Sequence, residues 1–241
     1  MAYRLALSLW HRPTTRLWSC RQRAPSNASG RSPPGGNSSD FAGAAAIPSF
    51  LSVEIPMIKS ISVPIEPVSE DNFRSFGHII AAPKKDPQFV GPGYSTWRYP
   101  LVLGGTADLT MLRHPFGPVV CNRFEKHPTI TELRVPLDPV VSVVFVASTL
   151  DIPRPKDMKG FLVDGETAML IERNIWHSAS FPLDPRGAHF ILISDRETEG
   201  ELEEAGIDGV PSVYTQMVDW TGQYELVPDY SGLGESYDRL A

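Results

Sequence analysis

Cysteine is almost missing from this chain: Cys20 and Cys121 are the only two. Cys20 falls in a stretch expected to lie outside the mature domain, which leaves Cys121 alone and excludes a disulfide framework. A reducing, or at least non-secretory, compartment is the expectation. Flanked by Val119 and Val120, Cys121 reads as a buried, inert thiol. Long apolar runs are missing too. None approaches the roughly 18–20 residues of a membrane-spanning helix, so no membrane association is expected. A basic excess, the footprint of a nucleic-acid binder, is also lacking: the net charge is −6. The chain has no GxGxxG, P-loop, GxSxG or HExxH, so nucleotide-phosphate, serine-hydrolase and zincin chemistry lack their motifs.

Acidic residues are absent before Asp40. Residues 1–39 carry six arginines, no lysine and many serines. That composition describes a mitochondrial transit peptide, with a disordered basic extension as the other reading. Met57 opens the globular pattern and is an alternative start. The division expected is therefore 1–56 as transit peptide or disordered extension and linker, 57–220 as the folded domain, and 221–241 as a C-terminal tail. Localisation follows: mitochondrial if residues 1–56 are translated as a transit peptide, cytoplasmic otherwise. Without the six arginines, 16 basic residues face 28 acidic ones, and the domain is strongly acidic. An anionic substrate would then be held by local groups against the overall field.

What is abundant is turn punctuation. With 23 prolines and 19 glycines, long helices are scarce and an all-β fold is favoured. Ile61–Ile65 alternates as a first strand, with Pro64 suggesting an edge. Ser69 caps a short helix that Gly77 ends, and residues 83–96 read as a long loop. The β-branched run Val140–Ala147 is the clearest strand and is expected to be covered on both faces. Gly160–Val163 and Thr167–Ile171 around Asp164-Gly165 read as a hairpin. His189–Ser194 is a further buried strand, Glu197–Ala205 a surface helix and Val213–Val218 a last strand. Eight to ten short strands with one or two short helices point to a closed β-barrel or jelly roll.

Two stretches carry chemistry-bearing side chains, Arg123–Leu137 and Glu172–His177. Glu125 and Glu132 bracket His127, and His177 follows Trp176. Two imidazoles with one or two carboxylates make either a metal site or an acid–base pair. By spacing alone, Glu125-x-His127 is also compatible with a solvated loop, and His177 with a rim histidine beside Trp176. Asp195-Arg196 reads as a turn ion pair.

Three separated motifs together resemble the ureidoglycolate lyase family: Phe124-Glu125-Lys126-His127-Pro128 leading to Val135-Pro136-Leu137, then Asn174-Ile175-Trp176-His177, then Phe190–Ser194 closed by Asp195-Arg196. The Phe-Gly-x-Ile-Ile ending at Ile80 resembles that family's start. The resemblance implies a cupin-like β-barrel, often a homodimer, that splits ureidoglycolate into urea and glyoxylate in allantoin and purine breakdown. It implies a small-molecule substrate, with His127 and His177 sharing the proton work and Glu125 orienting one of them. Arg98 or Arg123 would hold the substrate carboxylate, and Glu132 and Trp176 would line the substrate. The cofactor stays open, a divalent transition metal being the one these residue types admit. The chain departs from the pattern at Glu132, where Gln is usual, at Leu133-Arg134, where an aromatic is usual, and at Ser178-Ala179, where His-Pro is usual. Those departures support the alternative, a non-catalytic or substrate-shifted barrel that binds a small acid or a protein partner.

Overall fold

The computed structural model describes residues 57–206, 210–211 and 213–234. The transit-peptide or disordered-extension reading of 1–56 lies outside the described residues. In chain order the elements are β1 (Lys59–Pro67), α1 (Glu70–Phe73), β2 (Gly77–Ile80), β3 (Phe89–Gly91), β4 (Tyr94–Thr96), β5 (Ala107–His114), β6 (Arg123–Lys126), β7 (Glu132–Pro136) and β8 (Ser142–Ala147). They continue with β9 (Lys159–Val163), β10 (Ala168–Ile171), β11 (Trp176–His177), β12 (Phe181–Pro182), β13 (Ala188–Asp195), α2 (Arg196–Ala205), β14 (Gln216–Asp219) and β15 (Tyr224–Asp229). The fold is all-β in character, as expected.

Two curled sheets face each other. The larger runs β14-β6-β11-β8-β9-β1-β15, with β12 also paired to β8, and the smaller runs β2-β10-β7-β13-β5. A bridge between Cys121 and Leu226 joins β15 to the chain just ahead of β6, so the larger sheet curls back on itself. β8 is buried along its whole length, as its β-branched run predicts. Val143, Phe145 and Ala147 enter one apolar cluster with Phe124, Trp176, Trp220 and Leu226. Val144 and Val146, on the opposite face, enter a second with Phe73, Phe161, Met169 and Ile171, between the sheets.

Several expectations change. Pro64 is not on a free edge: β1 pairs with β15 through Pro64 and with β9 from Ile65 onward, so Pro64 sits at the exchange of partners. The hairpin around Asp164-Gly165 does not form. β9 pairs with β1 and β8, and β10 with β2 and β7, so the turn is a corner that carries the chain from one sheet to the other. A side chain at Gly165 would strike the Val140 and Pro139 backbone, which is why the corner takes glycine. The long loop contains the β3–β4 ribbon. Gly77 does not end α1, whose last residue is Phe73. It opens β2 at φ +150°, where a Cβ would stand 1.9 Å from the Leu170 carbonyl oxygen. The tail boundary at 220 moves as well, because β15 pairs along β1 and buries Leu226 completely.

Candidate active site

Strand periodicity assembles the site. Successive side chains on a strand point to opposite faces, so residues two apart share one. Glu125 on β6 and His127 just after it point between the sheets, as do Glu132 and Arg134 on β7. Trp176 and His177, neighbours on β11, part ways. Trp176 goes into the apolar cluster, and His177 turns between the sheets directly across from Glu125 in register. Asn174, at φ +63°, makes the turn that feeds β11, and its N–H donates to the His127 carbonyl at 3.0 Å. Asparagine tolerates this left-handed backbone better than most residues.

The two imidazole rings lie 5.3 Å apart, centre to centre. Glu132 bridges them. Its Oε2 is 3.3 Å from His127 Nε2 and 3.7 Å from His177 Nε2, while Glu125 Oε1 is 3.6 Å from His177 Nε2. Arg134 Nε donates to Glu132, its Nη1 donates to the Ser178 carbonyl at 2.8 Å, and its Nη2 is 4.0 Å from Glu125. All five side chains are almost wholly buried. A cavity of about 40 Å³ opens beside them. Its wall includes Glu125, Glu132, Arg134 and His114, with Thr110, Leu112, Ala179 and Leu192, and α2 adds Glu199 and Leu202. The carboxylates thus form the wall, and the imidazoles stand behind them.

Charge in this cluster balances internally. Burial alone would raise the Glu132 carboxyl, but Arg134 and the two histidines outweigh it and hold the group well below the usual range. Burial likewise pushes Glu125 up, while His177 and His127 bring it down on balance. His177 is pulled down by burial but carried up to about 9 by Glu132 and Glu125. Two carboxylates therefore face one guanidinium and one imidazolium. The Ile175 carbonyl, 2.9 Å from His177 Nδ1, can only accept, so that nitrogen carries hydrogen. Nε2 is then the atom whose proton can move. Nε2 of His177 and Oε2 of Glu125 are both buried with no hydrogen-bond partner, an arrangement that suits a bound ligand.

Glu125, His127, Glu132 and His177 also form a group of candidate metal donors, with one ligand atom from each within 4.8 Å of all the others. Separations of 3.3–3.7 Å between neighbouring donors match those around one small cation with ligands at about 2.1 Å. Two imidazoles and two carboxylates suit a divalent transition metal, so the residues fit that group.

Of the residues expected from the sequence, Glu125, His127, Glu132 and His177 come together. The other three do not. Arg98 is exposed, its backbone N–H bonded to Gln88. Arg123, at the start of β6, pairs instead with its cross-strand neighbour Asp219 on β14 at 2.8 Å. Trp176 donates to the Asp151 carbonyl and stacks under the Lys126 ammonium, 4.7 Å from its ring centre. Arg134 and His114, which the motifs do not point to, join the cavity wall. Their signal was period-2 spacing, Glu132-x-Arg134 on one strand and Thr110-x-Leu112-x-His114 on another. Asp195 is not a turn ion pair: fully buried, it caps α2 through the Thr198 N–H and accepts from the Gly104 N–H.

A family model described as ureidoglycolate lyase matches residues 60–213. Relatives named ureidoglycolate lyase occur in Escherichia coli O1:K1 / APEC and in the O45:K1 strain S88. Each is 27% identical over 152 residues, spanning 60% of this chain and 92% of the relative. The O6:H1 strain CFT073 has one with the same identity and coverage.

Proposed function

The chain belongs to the ureidoglycolate lyase family, and from that premise we propose that it cleaves ureidoglycolate to urea and glyoxylate. The observation that carries the reading is the buried two-imidazole, two-carboxylate cluster against a cavity with one guanidinium in its wall. The reaction removes the carbinol proton, breaks the adjacent carbon–nitrogen bond and protonates the departing urea nitrogen. Glu132, in the cavity wall, relays the carbinol proton to His127 Nε2, which takes it. His177, protonated and facing Glu125, supplies the proton, which reaches nitrogen through the Glu125 carboxylate in the cavity wall. Glu132 lies within reach of both rings and returns the proton from His127 to His177, which resets the site. Arg134 is the cation that holds the substrate carboxylate, in place of Arg98 or Arg123.

A bound divalent transition metal, held by Glu125, His127, Glu132 and His177, would supply a Lewis acid. Its ligands must be deprotonated, so it and the His177 imidazolium exclude one another. Metal analysis of the purified protein separates the two states.

Glyoxylate release from ureidoglycolate tests the activity. His127→Ala and His177→Ala should each lower turnover by about 10²-fold or more. Unchanged turnover in both would sink the assignment. The alternative of a non-catalytic barrel is not favoured, because the departures from the family pattern leave a complete acid–base set in place. A role in allantoin breakdown, and mitochondrial import through residues 1–56, belong to the same proposal. N-terminal sequencing of the cellular protein tests the import.

We also propose a homodimer, formed across the outer face of the smaller sheet. Leu109 and Met111 on β5 are about two-thirds exposed, and their cross-strand neighbours Ile193 and Ile191 lie on the same face. Met111→Glu should shift sedimentation from dimer to monomer, and a wild-type monomer at high concentration would refute the proposal.

A further inference from the structure

His127 and His177 are held differently. His177 Nδ1 meets a backbone carbonyl, which fixes its hydrogen there. His127 Nδ1 meets the Thr215 hydroxyl at 3.1 Å. A hydroxyl both donates and accepts, so His127 can carry its hydrogen on either nitrogen while the ring stays in place. Thr215 is fully buried, and its backbone belongs to the segment between α2 and β14.

That segment is gathered by one carboxylate. Glu201 on α2 accepts from the Val213 N–H at 2.6 Å through Oε1, and from the Tyr214 and Thr215 N–H groups at 2.8 Å each through Oε2. Three successive backbone donors converge on one anion, the strong, charge-assisted form of the hydrogen bond. α2 is itself anchored by Asp195 at its start and by Glu199 on the Ser194 hydroxyl. A continuous chain of contacts runs from the helix through Glu201, the 213–215 backbone and the Thr215 hydroxyl to His127. The ring's far nitrogen then faces Glu132 at 3.3 Å.

The structure assigns Glu201 and Thr215 as positioning residues for His127. Glu201 fixes the backbone that carries Thr215, and the Thr215 hydroxyl fixes the orientation of the imidazole. This rests on the proton-carrying role given to His127 above. Neither residue stands in the sequence motifs that surround His127, and Thr215 lies 88 positions away.

The test compares Thr215→Val, Thr215→Ser and Glu201→Gln with the wild-type chain. The readouts are imidazole nitrogen NMR of His127 at one fixed pH and steady-state glyoxylate release. Thr215→Val should change the His127 Nδ1 resonance and lower kcat by about 10–100-fold, with KM little altered. Thr215→Ser, which restores the hydroxyl, should return both to the wild-type pattern. Glu201→Gln should move the same resonance in the same direction by less, and it provides a second reading if Thr215→Val does not fold. An unmoved His127 resonance in Thr215→Val and Glu201→Gln overturns the assignment. Should the wild-type chain release no glyoxylate, the lyase reading fails by itself, while the resonance comparison still decides the positioning roles.

Discussion

Glu125 and Glu132 are buried side by side, and Arg134 touches both. Replacing Arg134 by Met leaves two carboxylates with too little compensating charge, which costs about 3–5 kcal/mol of folding stability. Neutralising Glu132 as well, in Glu132→Gln with Arg134→Met, should restore most of that stability, because a neutral pair needs no counter-charge. Turnover should stay lost in the double variant, since the guanidinium that holds the substrate is still missing. Urea unfolding midpoints read beside glyoxylate release check both halves. His114 makes a separate prediction. Burial, then the Arg134 cation, lower its imidazole from 6.5 to about 3 in the folded protein. Below pH 6.5 the unfolded chain takes up a proton that the folded one refuses. This contribution is therefore whole above pH 6.5 and falls away toward pH 3, by about 1.4 kcal/mol per pH unit. His114→Leu should remove that part of the slope, seen as a shrinking stability gap between variant and wild type as pH falls.

At the scale of elements, what could be read in advance was what local pattern dictates. The Val140–Ala147 run announces a strand covered on both faces because nothing polar interrupts it. Ser69 announces α1 because its hydroxyl takes the Asn72 N–H while the Asn72 side chain takes the Ser69 N–H. Glu125 and His127 were legible through the family motif, since their spacing alone fits a solvated loop as well. Pairing between distant strands was not legible. Asp164-Gly165 has hairpin chemistry, yet β9 and β10 each find better partners elsewhere, and the turn becomes a corner between sheets. Arg134 stands where an aromatic is usual, so the family motif does not point to it. Its place two residues after Glu132 on β7, between β10 and β13, turns it inward. β5 alternates exposed and less exposed residues along its length. Its large apolar residues Leu109 and Met111 turn outward, while Thr110 and Leu112 face the cavity.

For the molecule as a whole, the last described strand decides whether the larger sheet closes. β15 runs parallel to β1 from Tyr224 to Asp229, and Leu226 exchanges two backbone hydrogen bonds with Cys121. Parallel partners so far apart in sequence form late and depend on the entire chain between them. Leu226 is fully buried in the cluster that holds Phe124, Phe145, Trp176 and Trp220, and Trp176 adjoins His177 on β11. Loss of β15 would therefore open the cluster beneath the strand that carries a site imidazole. Leu226→Ala should cost about 2–5 kcal/mol through the cavity it leaves, with the site intact in the molecules that remain folded. A chain ending at Gln223 should fare much worse. Without β15, the Lys59–Pro64 half of β1 and Cys121 lose their partners, and a long unpaired edge invites association with other chains. The expected result is loss of cooperative unfolding and aggregation at concentrations where the Leu226→Ala protein is still monodisperse. A truncated chain that melts cooperatively and releases glyoxylate would show that the site-bearing strands fold without this closure.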